Sequence, residues 1–109
     1  MAGASPLTAR QFQSLVNVLY ASATVDPADI AAAGESTTSV TVAGVALGDA
    51  VIAFPGVDVS TGGITFSLAV TAANTIKIMW SNASGDHINL ASSTWRFLVL
   101  RPKGHFLAI

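Results

Sequence analysis

A two-residue alternation of apolar and small or polar side chains runs through the last third of the chain, and it dictates a β-framework. Between Ile64 and Leu100, Phe66, Leu68 and Val70 alternate with Ser67, Ala69 and Thr71. Ile76, Ile78 and Trp80 then alternate with Lys77, Met79 and Ser81, and Trp95, Phe97 and Val99 with Arg96, Leu98 and Leu100. Successive side chains of a strand point to opposite faces, so each run presents one apolar face to a core. Ala72-Ala73-Asn74 and Asn82-Ala83-Ser84-Gly85-Asp86 read as the turns between them. The last run is apolar on both faces except at Arg96, which predicts protein contact on both.

Upstream, Ser39–Val42 and Asp49–Phe54 read as strands, the second buried on both faces at Val51 and Ile52. A glycine-punctuated connection, Ala43–Gly48, joins them. Glu35-Ser36-Thr37-Thr38 reads as a polar turn, Pro55-Gly56 as a stop and Gly62-Gly63 as a turn. Ile30-Ala31-Ala32-Ala33-Gly34 fits a short helix stopped by Gly34 and equally a strand of small side chains. Near the start, Ser5-Pro6 or Thr8 can cap an amphipathic helix of about three turns, with Phe12, Leu15, Val16 and Leu19 at helical spacing. The β-branched residues within Leu15–Tyr20 support an extended arm instead. Strands at this spacing, with turns between them and no helical crossovers, predict an all-β fold. The expected architecture is a jelly-roll-like β-sandwich over residues 25–109, with residues 1–24 as a helix or arm.

The composition bears on function. Of 109 residues, 51% are apolar and only 10% charged, against about 25% charged in ordinary soluble domains. Mean hydropathy is +0.60. No run approaches the roughly 20 apolar residues of a spanning helix, and the chain is short for an outer-membrane barrel of at least about eight strands. Burial against other subunits is the expected explanation of the excess, in preference to an ordinary monomer with an uncharged surface. The expected interface residues are Phe12, Leu15, Val16, Leu19, Trp95, Arg96, Phe106 and Ile109. The apolar tail His105–Ile109 either adds an edge strand to its own sheet or reaches a neighbour. Arg96, set among apolar residues, is expected to pair with a carboxylate or cross an interface.

Little in the chain speaks for chemistry. A net charge of −1 with basic residues gathered only at Arg101-Pro102-Lys103, read as a solvated tail, argues against nucleic acid. There are no cysteines, which excludes disulfides and thiolate metal sites. Ser84, Asp86 and His87 are the residue types of a hydrolase triad, but a triad converges from separate parts of a fold, so a solvated turn is the expected reading. His87 and His105 show no metal-ligand spacing. Gly62-Gly63 precedes a strand rather than a helix, so no phosphate loop is predicted. Asn82-Ala83-Ser84 is a glycosylation triplet at chance level. Asp49 is expected to bond backbone amides of the Gly44–Gly48 turn. No catalytic, cofactor or metal site is expected, and the chain is not read as an enzyme. The first residues lack a basic, apolar leader pattern, so the expectation is a protein kept in a cytoplasm or built there into something larger.

Several segments together resemble a known group. They are Val25-Asp26-Pro27-Ala28-Asp29-Ile30, Val42-Ala43-Gly44-Val45-Ala46-Leu47-Gly48-Asp49, Thr71-Ala72-Ala73-Asn74-Thr75-Ile76, Asn82-Ala83-Ser84-Gly85 and Leu90-Ala91-Ser92-Ser93-Thr94-Trp95-Arg96. The series resembles small β-rich structural proteins of tailed bacteriophages, including cyanophage virion proteins. The resemblance implies a decoration or cement protein that binds the major capsid protein on the outside of the shell as a homotrimer, or else a part of a fibre or spike that binds host carbohydrate. It carries over no catalytic residue, cofactor, nucleic-acid partner or membrane.

Overall fold

The computed structural model describes residues 9–60 and 62–103. A short helix, α1 (Ala9–Leu15), leads into six strands: β1 (Val16–Val25), β2 (Glu35–Thr41), β3 (Ala50–Phe54), β4 (Ile64–Ala72), β5 (Thr75–Asn82) and β6 (Ser93–Pro102). They form two three-stranded sheets, β1-β6-β3 and β2-β5-β4, with every pairing antiparallel. The chain changes sheet at each connection except the β4–β5 hairpin, so β1/β6 and β2/β5 nest as in the winding of a jelly roll. The expected β-sandwich is the fold.

The alternation explains the core. Trp95, Phe97 and Val99 point inward from β6 and meet Ile76, Ile78 and Trp80 of β5, with Val25, Val40 and Ile64 closing the flanks. Trp95 is fully buried, edge-on to Phe66 and Trp80 at ring distances of 5.5 and 5.8 Å and stacked on Phe97 at 6.4 Å. Tilted aromatic packing of this kind adds to area burial. Trp80 Nε1 donates to Thr38 Oγ1 at 3.0 Å, while Trp95 Nε1 has no hydrogen-bond acceptor among the described residues.

Several expectations need correction. The helix at the start of the chain stops at Leu15 and does not reach Leu19: the chain is strand from Val16 onward, and β1 pairs with β6 through all ten residues, while the expected caps Ser5-Pro6 and Thr8 lie outside the described residues. Residues 16–24 therefore belong to the sandwich, not to an arm. A full ladder of sheet hydrogen bonds outweighs a helix pattern made partly of β-branched residues. Glu35-Ser36-Thr37-Thr38 is not a turn but the first half of β2, an edge strand whose outward side can be polar. Ile30–Gly34 is neither helix nor strand. Ile30 bridges Ile88 in both directions, and Ala31–Gly34 is a tight turn with Ala33 at a positive φ of 52°. Ile52 is not buried on the second face of β3, for reasons given below.

Polar clasps close both ends of the sandwich. At one end Asn82, 1% exposed, donates Nδ2 to the carbonyls of Ile30 (3.2 Å), Ala31 (3.2 Å) and Asp86 (2.8 Å). Its Oδ1 accepts from the Ser84 N–H and hydroxyl at 2.9 and 2.7 Å. Nearby, Gly56 is held so close to Ser93 and Thr94 that an added Cβ would collide with the Thr94 carbonyl oxygen. At the other end Asn74, with φ at 60°, turns the β4–β5 hairpin beside a bulge between Val70 and Ala72. Its Oδ1 accepts from Gly44 N–H at 2.9 Å, and its N–H donates to the Val45 carbonyl at 2.8 Å.

Arg101 completes this second clasp. Its Nε and Nη2 each donate to Asp49 at 2.8 Å, and Nη2 also donates to the Gly44 carbonyl at 2.7 Å. Asp49 in turn accepts from Ala46 N–H at 2.9 Å, as expected for a carboxylate tied to the glycine turn. Arg101 is thus engaged in a bidentate pair rather than in a solvated tail. Its hydrogen bonds hold the Asp49 carboxyl below the usual carboxylate range, against the opposing effect of burial and with help from Ala46. A depressed carboxyl stabilises the fold fully above its unfolded value, near 4, and loses that contribution as pH falls through the lower folded value. Asp49→Asn should therefore reduce the loss of stability below about pH 4, as read by urea denaturation from about pH 6 down to 2.

Candidate assembly surface

The two sheets turn opposite chemistries outward. In β1-β6-β3 the register aligns outward side chains in rows: Val18–Leu100–Ala50, Tyr20–Leu98–Ile52 and Ser22–Arg96–Phe54. Tyr20 is 60% exposed, Val18 49%, Ile52 47% and Phe54 43%. Leu98 and Leu100, flanked by both neighbouring strands, are half-buried. In β2-β5-β4 the corresponding rows are Glu35–Ser81–Thr65, Thr37–Met79–Ser67 and Ser39–Lys77–Ala69. One outward face is thus apolar with a single charge, and the other is mostly Ser and Thr.

An apolar face of this kind is the feature of a monomer that calls for explanation, since contiguous exposed apolar surface marks interaction sites. Its cause lies in the strands. β6 is central and apolar on both sides, so its inward residues make the core and its outward residues make the patch. β1 and β3 flank it and continue the apolar rows with Val18, Tyr20, Ile52 and Phe54. Arg96 stands on the central strand in the end row of the patch, between Ser22 and Phe54, exposed, with no hydrogen bond or ion pair among the described residues. The carboxylate partner expected for it is absent there, and its guanidinium is left free to meet one on a partner.

The expected interface residues divide. Trp95 faces the core, not a partner. Leu15, Val16 and Leu19 are half-buried, and Leu19 packs on the core from β1. Val16 and Leu19 are not on a helix face at all, because the helix ends at Leu15. The side chain of Phe12, and Phe106 and Ile109 altogether, lie outside the described residues. Among the described residues of that set, Arg96 sits on the patch, and Val16 lies on the same outward side of β1 as Val18 and Tyr20. Sequence reasoning missed Val18, Tyr20, Ile52 and Phe54. The two-sided apolar character of Leu98 and Leu100 pointed to the face, but not to the strands that flank it.

The other candidates disperse. Ser84 donates its hydroxyl to Asn82 and does not approach His87, whose Nδ1 lies 2.8 Å from Asp29 in solvent. Ser84, Asp86 and His87 therefore form no triad. The side chain of the Asn82-Ala83-Ser84 triplet is spent inside the fold. An open hollow of about 180 Å³ lies between Asn17, Leu19, Val99 and Arg101, but its carboxylate and guanidinium already satisfy each other. Among the described residues no group of three His, Asp or Glu side chains is placed to hold a metal ion, and no helix is long and apolar enough to cross a membrane. Comparison with protein families, curated proteins and solved structures gives no match to this chain.

Proposed function

We propose that the protein is a structural subunit of a virion: a capsid decoration (cement) protein that binds the major capsid protein on the outside of the shell as a homotrimer and stabilises it. The observation that carries this reading is the apolar outward face of β1-β6-β3, set opposite a Ser/Thr-rich face. A cementing subunit needs such a division, with one side buried against copies and shell and the other wetted. The virion setting itself rests on the sequence resemblance, which also implies assembly in the host cytoplasm and residence on the capsid surface. Covering a half-exposed Val, Ile, Phe or Tyr contributes on the order of 1 kcal/mol each, so a few covered together with Arg96 supply a usable affinity. The fibre or spike reading, with host carbohydrate stacked on loop aromatics, fits less well. The described loops carry no Trp, Tyr or Phe, and the exposed rings of Tyr20 and Phe54 lie on a flat sheet.

The test is co-sedimentation with shells assembled from a major capsid protein of the genome that encodes this chain. Wild type should saturate the shells, and a double variant, Ile52→Lys with Phe54→Lys, should bind at least about tenfold more weakly. Both positions are solvent-facing, so folding survives. A wild-type protein that stays monomeric at high concentration and ignores shells would overturn the reading, and specific glycan binding would favour the fibre alternative.

A further inference from the structure

Among the described residues, four strand edges border the two sheets. β3 has five residues and is stopped by Pro55; β2 opens on Glu35; β4 is regular over Ile64–Val70 and ends in a bulge between Val70 and Ala72. Short length, charge, proline and bulges are the usual devices against edge pairing. β1 has none of them. It runs ten residues, Val16–Val25, without a charge, proline, glycine or register shift.

The geometry of that edge follows from one bond. Lys103 N–H donates to the Leu15 carbonyl at 2.9 Å, so Leu15 and Lys103 form a hydrogen-bonded antiparallel pair. Such pairs alternate along a ladder. The odd-numbered residues of β1 therefore bond to β6, and the peptide groups of Val16, Val18, Tyr20, Ser22 and Thr24 point to the open side. Pro102, which has no N–H, falls opposite Val16, where the β1–β6 ladder requires none.

We propose that a second copy of this chain docks on this edge, β1 against β1, antiparallel about a twofold axis. The occupant is argued from three points. The free edge is self-complementary, since antiparallel pairing about a twofold matches each donor to an acceptor. It brings no like charges together, because β1 is uncharged. The best register is fixed: with Tyr20 opposite Tyr20, Val18 faces Ser22 and Val16 faces Thr24, and all five open residues pair, giving about ten hydrogen bonds. Centring on Ala21 pairs only four, and any half-step would turn the apolar faces to opposite sides. The axis stands perpendicular to the sheet, so the two apolar patches lie side by side on one surface. On a shell covered by trimers, this contact joins copies from neighbouring trimers. The proposal concerns the edge and holds for the isolated chain whether or not the virion reading does.

Because the chain has no cysteine, single replacements report the contact directly. Under mild oxidation, Tyr20→Cys should form a disulfide-linked dimer about tenfold faster than Thr37→Cys on the opposite sheet, the pair being held at disulfide distance. Val18→Cys and Ser22→Cys should each cross-link poorly alone but well when mixed. Ser22→Pro removes an N–H that the β1–β6 ladder does not use and leaves the apolar face unchanged; by light scattering it should lose the twofold association while staying folded. Thr24→Lys should do the same if proline proves disruptive. Equal cross-linking at Tyr20 and Thr37, or undiminished association of a folded Ser22→Pro or Thr24→Lys chain, would overturn the proposal. The Ile52→Lys/Phe54→Lys variant leaves this edge intact, so failure of the edge contact and failure of shell binding are separable.

Discussion

Trp95→Ala should lose about 4 kcal/mol of stability, within the range of buried aromatic truncations. For a domain whose whole margin is about 5–15 kcal/mol, that is a large share. A thermal melt should show the midpoint falling by about 20–30 °C. The size of the effect follows from position: Trp95 is fully buried, and the rings of Phe66, Trp80 and Phe97 all rest on it. Trp95→Phe should cost far less, about 1 kcal/mol. It keeps most of the ring contact, and the indole N–H it removes has no acceptor to strand. If Trp95 were an interface residue, the alanine change would reduce association and leave the melt of the monomer nearly unmoved. The two readings thus give opposite results in one experiment.

Asn82→Ala is the second large effect expected, about 3 kcal/mol. The side chain donates to three carbonyls from two different loops and accepts from Ser84, all around a nearly inaccessible site. Alanine would leave those carbonyls facing a cavity. Asn82→Asp should be at least as damaging at neutral pH, because a carboxylate oxygen would replace the donor opposite the carbonyls of Ile30, Ala31 and Asp86. Surrounded by acceptors, that introduced carboxyl would be raised above its unfolded value. The variant should therefore be most stable in acid, where the group is protonated, and lose stability as pH rises through the raised value. Denaturant midpoints of the three proteins at about pH 4 and pH 7 check the order and the sign. Hydrogen exchange should also quicken in the Ile30–Ile88 bridge of both variants, which the asparagine holds in place.

What could be read from the sequence was what period-two patterning specifies without outside help. β5 and β6 alternate cleanly, so their inward residues were legible, as were the turn at Asn74 and the tie between Asp49 and the glycine turn. β1 was not, because Phe12, Leu15, Val16 and Leu19 satisfy a helical spacing while Val18, Leu19, Tyr20 and Ala21 satisfy a strand. The choice is made by β6, which offers ten residues of ladder and lies about eighty residues downstream. The apolar patch escaped for a similar reason. Its rows join β1, β6 and β3, and only the register of the sheet brings Tyr20, Leu98 and Ile52 side by side. Trp95 and Arg96 were named together, yet adjacent strand positions face opposite ways, so only one of them could lie on a surface. Asn82 looked like an ordinary turn residue because its role depends on two loops far apart in sequence converging on it.

The unlike outer faces of the two sheets have one more consequence. A slab with one water-shedding side and one wettable side behaves as a molecular surfactant. At any boundary between water and something oilier it should lie flat, always with the same side down, and salt should do little to lift it, since almost no ionic charge takes part.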